Sequence, residues 1–449
     1  MKKLKTKIII IAVIILVLIA IPVLIKFNTP KDSGVEVSSV KLDKTSSKLK
    51  VGNSLTLKTT VSPDNAKNKS VVWSSENISV ASVDNGIVTG VGSGSTKIIA
   101  TSVDGSSKKA VFSVDVQGIS DNKEIVFKDK IFEDFIRSTI DKPTGTIHKE
   151  DVLNVKSLYA SKQNISDLSG LENFENLEFV DFSENPITNL EPISTLKNLK
   201  EAYLANTKSS NISSLKNLTN LLNLGLQDNN ITDISDLKSL KNLTFLNLSD
   251  NNINDVSSLK DLSNLYDVDL GNNKLTDIST LNSLNKLKYL NLYGNAINNI
   301  STINSFSSLQ VLNLEGNNVS DISAIAGLKQ INSLDLSFNH IKDISSLKEV
   351  TSLRYNLNLS SNEITDISII SNLTNLQLLH LESNKIVDVL PLKGLDNLTE
   401  LYLQDNKISD ITGLKKLTHL YYLFLSGNNI SDEDKKTLQK DLRQIHIYF

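Results

Sequence analysis

The sequence predicts a solenoid of stacked coils, with parallel strands on a concave side and short helical turns on the convex side, behind an all-β sandwich and an apolar helix. Three observations predict this fold. A pattern returns every 22 residues through most of the chain, a stretch of short β-forming runs comes before it, and an unbroken apolar run lies near the N-terminus. The repeat is clearest in LLNLGLQDNNI at 221–231 and LTFLNLSDNNI at 243–253.

One asparagine position marks the register of the repeat. Its step is 22 residues except for the 23 between Asn339 and Asn362, a period in the range of leucine-rich repeats. The extra residue there, in Arg354-Tyr355-Asn356, predicts a strand bulge; the alternative is a slip on the convex side. The full set is Gln163, Asn185, Thr207, Asn229, Asn251, Asn273, Asn295, Asn317, Asn339, Asn362, Asn384, Asn406 and Asn428. Gln163 and Thr207 depart from it, which predicts an end cap and one weaker coil.

The residue types explain why such coils stack. Leu224 and Leu226 lie two apart, so both point to one face of a strand, and the other apolar positions complete a ring that only neighbouring coils can bury. The asparagine amide can satisfy backbone groups at the bend. An Asp or Asn such as Asp233 then starts a short helical turn. One carboxylate per coil lacks the cluster of oxygens that calcium demands, so we predict no metal.

The N-terminus combines four lysines within residues 1–7 with an apolar run of 18 residues at 8–25. As a helix this run spans roughly 27 Å, close to the hydrocarbon core of a bilayer. We predict a basic cytoplasmic segment at 1–7, an uncleaved single-pass transmembrane helix at 8–25 and an extracellular remainder, beginning with a linker at 26–37. The alternative is a cleaved signal sequence and a secreted protein.

Residues 38–117 have the texture of an all-β sandwich, with turn signals such as DNG at 84–86 between short Val- and Ile-rich runs. The segment VVWSSENISVASVDNGIVTGVGSGSTKIIATS at 71–102 resembles the bacterial Ig-like domain of group 2. That resemblance implies a spacer or adhesive module. We interpret Trp73 as a core aromatic residue, with sugar stacking as the alternative.

Residues 118–155 are predicted to form a linker and a helical cap over the first coil. The helical pattern there has Ile131, Phe132, Phe135, Ile136 and Ile140 at spacings of one, three and four. With DVLNVKSLYASKQNISDLSGLENFENLEFVDFSENPI after it, this segment resembles the N-terminal cap and first repeats of the internalins, whose 22-residue repeat class is matched over nearly all of 156–430.

A C-terminal cap is predicted at 431–449. It begins with SDED, continues with Leu438, Leu442 and Ile445 on one helical face, and closes with a last strand from the final residues HIYF. The internalin resemblance implies a curved surface array that grips proteins. Because the sandwich precedes the repeats and no LPxTG-type sorting signal follows, we expect membrane anchoring to replace wall attachment.

Chemistry-bearing motifs are missing from the sequence. The five histidines are scattered without HExxH or metal-ligand spacing, there is no cysteine, and no Gly-rich phosphate loop occurs. Without residues 1–34 the chain has 41 basic and 49 acidic residues, a balance that disfavours nucleic acid. We therefore predict no catalysis, no cofactor and no nucleic-acid partner.

Two functions fit these observations: a surface protein that binds a protein ligand, from a host or from the envelope, on its concave face, or a structural envelope-organising protein without a specific ligand. Exposed aromatics on that face favour the first. One concave position runs from polar in the middle of the array to aromatic at its C-terminal end. We predict that the ligand contacts Tyr289, Tyr293, Phe338, His380, Glu382, Tyr402, Tyr422 and Phe424. Tyr289 and Tyr293 are expected to lie together, whereas Tyr422 and Phe424 have the alternative of packing under the C-terminal cap.

Overall fold

The computed structural model describes residues 35–449, which divide into two compact units, a sandwich and a repeat array, taken here one at a time. The predicted transmembrane helix at 8–25 lies outside the described residues. Within the described part, no helix is both long and apolar enough to cross a membrane.

The sandwich is built from nine short strands in sheets of two, four and three strands, ordered β1-β4, β2-β9-β8-β5 and β3-β7-β6. Trp73 packs half-buried against the apolar cluster that includes Val40, Val61 and Ala100, which supports its interpretation as a core residue. The strands are β1 Ser39–Leu42, β2 Ser46–Lys50, β3 Ser54–Thr56, β4 Thr59–Ser62, β5 Val71–Ser75, β6 Ala81–Asp84, β7 Ile87–Gly90, β8 Gly94–Ser102 and β9 Lys109–Gln117. The sandwich predicted from the turn signals is therefore present.

The N-terminal cap of the repeat array contains helices α1 (Lys130–Thr139) and α2 (Lys149–Val152). Asp129 caps α1 by accepting from the Ile131 and Phe132 amides, and its second oxygen accepts from the Ser166 amide of the first coil at 2.6 Å. Phe132 and Ile136 are fully buried, but Ile131 is 46% exposed. Ile131 lies in the predicted helix but off its buried face, because one residue turns a helix by about 100°.

The repeats form one parallel sheet of fourteen strands in chain order, β10 to β23. Each strand is three residues long, and from β10 to β22 its middle residue is buried, as for Leu224, Leu246 and Leu290; in β23 the middle residue Ile447 is half-buried against the same core. The strands are β10 Ser157–Tyr159, β11 Phe179–Asp181, β12 Glu201–Tyr203, β13 Asn223–Gly225, β14 Phe245–Asn247, β15 Asp267–Asp269, β16 Tyr289–Asn291, β17 Val311–Asn313, β18 Ser333–Asp335, β19 Asn356–Asn358, β20 Leu378–His380, β21 Glu400–Tyr402, β22 Tyr422–Phe424 and β23 His446–Tyr448. Stacked coils thus share a single apolar core, as the period predicts.

Short 3₁₀ helices lie on the opposite side of the coils. Asp233 accepts from the Ser235 amide at 2.8 Å and so starts the helix there, a bond repeated in many coils. The helices are Leu171–Asn173, Glu191–Thr195, Ser213–Leu215, Ser235–Ser239, Ser257–Leu259, Ser279–Ser283, Ser301–Ser305, Ser323–Gly327, Ser345–Glu349, Ser368–Asn372 and Leu390–Leu392. This confirms the prediction of brief helical turns that begin at Asp or Asn.

The repeated asparagine is a buried connector between coils. The Asn317 amide nitrogen donates to the carbonyl oxygens of Leu292 (2.9 Å) and Leu314 (3.1 Å), while its oxygen accepts from the Ile297 amide at 3.0 Å. Thr207 replaces Asn in the third coil and has no side-chain amide that could form these bonds. The Ile187 amide in the coil before it donates instead to the Asn185 carbonyl. The lower stability of that coil stays a prediction.

The extra residue of the 23-residue coil lies at the entry to β19. Asn356 pairs with Ser333 in the regular register, and the preceding Tyr355 amide donates to the Asn332 carbonyl at 2.9 Å. Tyr355 and Asn356 therefore occupy the space of one residue in other coils, and the Tyr355 side chain is exposed. The predicted bulge is confirmed, at the start of the strand.

The C-terminal cap contains helix α3, Asp432–Asp441, capped by Ser431, whose hydroxyl accepts from the Asp434 amide. Leu438 and Leu442 are buried against the last coil. The chain then returns to the sheet as β23, parallel to β22, with His446 opposite Tyr422. Both the cap and the final strand predicted from the sequence are present.

Candidate functional site

The side of the repeat sheet turned to solvent is the surface on which variable side chains are collected. In each strand the middle residue points into the core, so the first and third residues point outward. The second residue after the strand continues this alternation. We call these three positions in every coil the sheet face; in the coil of β16 they are Tyr289, Asn291 and Tyr293.

At the C-terminal end of the sheet face four rings stack on successive strands. His380 and Tyr402 have ring centroids 4.1 Å apart, Tyr402 and Phe424 4.6 Å, and Phe424 and Tyr448 4.6 Å, with interplanar angles of 14°, 9° and 8°. Neighbouring strands are about 4.8 Å apart, close to the stacking distance of aromatic rings, so the register itself builds this arrangement. We call these four residues the ring ladder.

Two carboxylates contact the polar atoms of the ring ladder. The Tyr402 hydroxyl donates to Glu400 Oε2 at 2.8 Å, and His380 Nδ1 lies 3.2 Å from Glu382 Oε1. Burial, followed by the nearby Glu400 carboxylate, raises the pKa of Tyr402 to about 12. The phenol therefore stays protonated and remains a donor at neutral pH, which fixes the orientation of its ring.

Tyr422 forms a second row beside the ring ladder. Its ring lies 6.3 Å from Phe424 and 5.5 Å from His446. The side chain is 39% exposed, and Phe424 is half-buried. The cap contributes rings to this surface through β23 and leaves Tyr422 open to solvent.

Tyr289 and Tyr293 both belong to the sheet face but lie at opposite ends of one strand, about 13 Å apart along the backbone. Tyr289, which is 40% exposed, lines an open cleft of about 640 Å³ together with Tyr266 and Lys288. Tyr293 lies over Gly271, where an added Cβ would clash with the ring, and its hydroxyl is 3.4 Å from the Asp250 carboxylate. Three residues of extended chain separate the two tyrosines, and that one contact patch includes both stays a prediction.

Phe338 lies outside the sheet face. It follows Ser337 in the turn after β18, with a φ of 54° and 59% of its surface exposed. The equivalent turn positions hold residues such as Asp250, Gly316 and Ser361, which suit a left-handed turn better than a bulky ring does. Its side chain is therefore displayed at the margin of the array.

Several aromatics of the sheet face were missed by the sequence reasoning. Tyr448 and His446 extend the two C-terminal rows. At the other end the missed residues are Phe179 and Tyr159, whose rings are 4.6 Å apart; Phe179 also lies 5.8 Å from Tyr203, which the 22-residue step does place on the concave side. Stepping back one 22-residue period from Asp181 would have found Tyr159. No such step reaches Tyr448, because α3 intervenes.

Within residues 35–449, no group of three or more His, Asp or Glu side chains is placed so that it could hold a metal ion. The sheet face instead offers rings, carboxylates and amides to a contacting surface.

Comparison with known proteins agrees with this architecture. The family description of the bacterial Ig-like domain (group 2) matches residues 36–112, and that of leucine-rich repeats (2 copies) matches 241–283, 307–349 and 396–439. Two curated relatives match at 44% identity over 94 residues and 35% over 92, a 3-O-alpha-D-galactosyl-alpha-L-arabinofuranosidase of Bifidobacterium longum subsp. longum and an uncharacterized protein of Clostridium acetobutylicum. Each match covers 20% of this chain but only 8% and 10% of those relatives, and the glycosidase match falls in the Ig-like region.

Solved structures resemble the repeat array. Internalin InlF of Listeria monocytogenes has a TM-score of 0.61 at 30% identity, covering 68% of this chain and 96% of its own. A leucine-rich-repeat protein of Leptospira interrogans has a TM-score of 0.58 at 24% identity, covering 67% and 92%. The functional domain of InlJ from Listeria monocytogenes follows at 0.54 and 23%, covering 68% and 75%. The last two show the shared fold alone.

The match to InlF covers 96% of that internalin at 30% sequence identity, which is enough to assign both proteins to one family. The match to the Ig-like domain covers the unit before the repeats. Internalin-like proteins and proteins with group 2 Ig-like domains are surface or extracellular proteins. The chain therefore belongs to the internalin family of leucine-rich-repeat proteins, with a group 2 bacterial Ig-like domain ahead of its repeats.

Proposed function

We propose that this protein binds a protein ligand on the sheet face, with the ring ladder and Tyr422 as the anchoring contacts, and that it acts without catalysis. The observation that carries the proposal is the stack of His380, Tyr402, Phe424 and Tyr448 on the solvent side of the sheet. Partly exposed rings held in one conformation lose little side-chain entropy when a partner covers them, and such residues dominate interface energetics.

Family membership supports the same function, because internalins and other leucine-rich-repeat proteins bind protein ligands. A structural spacer has no need of large rings on its exposed face. A small polar face would favour the spacer, and in the middle of this array only the third strand position, as at Asn291 and Asn313, has that character. The aromatic C-terminal end favours ligand binding.

The proposed place of action is the outer surface of a bacterial cell, with residues 8–25 as a single-pass anchor. This anchoring rests on the sequence alone. Mass spectrometry of the protein purified from a membrane fraction is expected to find peptides from 8–25 still attached. A mature N-terminus near Asn28 would contradict the anchor and favour secretion.

The binding proposal is tested with the chain of residues 1–449 immobilised and exposed to extracts of envelope proteins and of host surface proteins. We expect one discrete partner whose binding, once the partner is purified, saturates. The double variant Tyr402→Ala/Phe424→Ala should lose it. The matched control is Val387→Ala, which removes an exposed apolar side chain outside the sheet face.

Thermal melting of each variant shows whether the fold is kept. Equal binding by Tyr402→Ala/Phe424→Ala and by the wild type would show that the ring ladder is not the anchoring contact for the ligand. Absence of any saturable partner in both extracts would favour the structural alternative.

A further inference from the structure

The charges on the sheet face have one sign. Eight carboxylates occupy its positions, and neither Lys nor Arg occupies any of them along β10 to β23. The chain as a whole has 47 Lys and Arg against 50 Asp and Glu, so composition does not explain the difference. The eight acids are Asp181, Glu201, Asp267, Asp269, Glu315, Asp335, Glu382 and Glu400. They extend from β11 to β21, roughly 48 Å at the spacing of parallel strands.

These carboxylates are not neutralised from neighbouring positions. Within 35–449, salt bridges to Lys or Arg occur at other acids, such as Glu178 and Glu363, and at none of these eight. Burial raises the pKa of Asp267, and the nearby Asp269 carboxylate adds to the effect. Burial likewise raises the pKa of Glu315, with Asp335 as the second cause. The face thus holds partly desolvated carboxylates without a Lys or Arg partner, and His380 is the basic side chain that one of them, Glu382, contacts.

The fold uses the polar atoms of three of these residues but not their charge. Asp181 Oδ1 accepts from the Ser183 amide at 3.0 Å, and in the same way Asp269 and Asp335 accept from the Gly271 and Ser337 amides, both at 2.9 Å. Asn313 makes the same bond to the Glu315 amide at 2.8 Å. An uncharged amide oxygen closes the turn equally well. The turn hydrogen bond therefore explains why the third strand residue has a side-chain oxygen, but it does not explain why that residue is negatively charged.

We infer that the ligand presents an extended basic surface, rich in arginine and lysine, to the sheet face. This inference rests on the proposed function and specifies the chemistry of its partner. Guanidinium groups pair with carboxylates and also pack against aromatic rings, and the face provides both, with Glu382 and Glu400 beside the ring ladder. The spread of carboxylates over many strands fits a surface or an extended segment better than a single cation.

The chain itself offers a matched pair of charge variants. The face variant is Asp181→Asn/Asp269→Asn/Asp335→Asn, which introduces the residue that other coils already use at this position. The control is Asp233→Asn/Asp321→Asn/Asp343→Asn on the helical side. There Asn189, Asn211 and Asn299 serve the same turn-closing bond in other coils. Both variants change the net charge by the same amount, and both keep the hydrogen bonds of their turns.

The probe is a synthetic peptide of nine arginines, with nine glutamates as the opposite charge, titrated against the chain of residues 1–449 at 50 mM NaCl. A pair of opposite charges about 8 Å apart in water contributes roughly a twofold factor, so the face variant should bind nona-arginine about tenfold more weakly than the wild type. The control variant should change binding by less than about twofold. In 1 M NaCl, where the Debye length is about 3 Å, the difference should disappear.

Equal weakening in both triple variants, or in neither, would overturn the basic-surface inference, as would preferential binding of nona-glutamate. Circular dichroism confirms that each variant is folded. The purified partner from the extracts separates the two proposals. A partner lost with Tyr402→Ala/Phe424→Ala but unaffected by the face variant and by salt would keep the binding function and reject a basic ligand surface.

Discussion

The buried asparagine ladder gives the most direct test of how the coils are held together. In Asn317→Ala the Ile297 amide loses its acceptor, the Asn317 oxygen at 3.0 Å. The carbonyls of Leu292 and Leu314 lose one donor each but keep another, from Asn295 and Asn339. The Glu315 carbonyl also loses the Asn317 amide, at 3.2 Å, and keeps the Gly294 backbone amide. One backbone amide is therefore left without a partner while three carbonyls remain satisfied.

The magnitude follows from that count. An unsatisfied buried donor costs about 1–3 kcal/mol, and the lost bonds to carbonyls that keep a second donor add less. We expect Asn317→Ala to lower the free energy of unfolding by about 3 kcal/mol. Asn318→Ala is the control, because the neighbouring Asn318 side chain is exposed, and its cost should stay within about 0.5 kcal/mol.

The assay must report on the repeat array. Trp73, the only tryptophan, lies in the Ig-like unit, so its fluorescence reports unfolding of that unit and not of the repeat array. Urea unfolding monitored by far-UV circular dichroism, with hydrogen exchange of the Ile297 amide as the local measurement, separates the two units. Unchanged protection of that amide in Asn317→Ala, or a urea midpoint equal to that of the control, would refute the reasoning.

Three further predictions concern the cap, the charged face and the contact surface. Ile136→Ala should destabilise by about 2–5 kcal/mol, whereas Ile131→Ala should cost under about 0.5 kcal/mol; similar thermal melts for both would contradict the assignment of the buried face. Burial raises the pKa of Asp269, so its ionised form costs stability above that pKa and the cost disappears below the ordinary aspartate value of 3.8. Asp269→Asn should therefore raise the urea midpoint at pH 7 but not at pH 3, and a gain of the same size at both would exclude the charge as its cause. For a purified ligand, Tyr289→Ala and Tyr293→Ala should each weaken binding by about 1 kcal/mol or more, and, because the two side chains are far apart, their effects should add; no loss in the double variant would place the contact elsewhere.

Much of the fold was predictable because the repeat is periodic. Leucines two residues apart indicate a strand, the asparagine that follows marks the bend, and Asp or Asn starts the helical turn; each of these local rules holds coil after coil. Local rules were weaker in the caps, which occur once each. Ile131 has the same apolar character as Ile136, and only the packing of α1 on the first coil decides which of them is buried.

The candidate site was predictable in composition and less so in geometry. The sequence alone determined that the C-terminal end of one strand position is aromatic, because a 22-residue step keeps His380, Tyr402 and Phe424 in register. Tertiary structure decided that β23 returns after α3 to place Tyr448 on the same stack, and that Tyr289 and Tyr293 serve opposite margins of the sheet. The physical reason is that a repeat period fixes which residues share a face through local backbone geometry. Distances between their side chains depend on how separate segments dock, and that is set by packing across the whole coil.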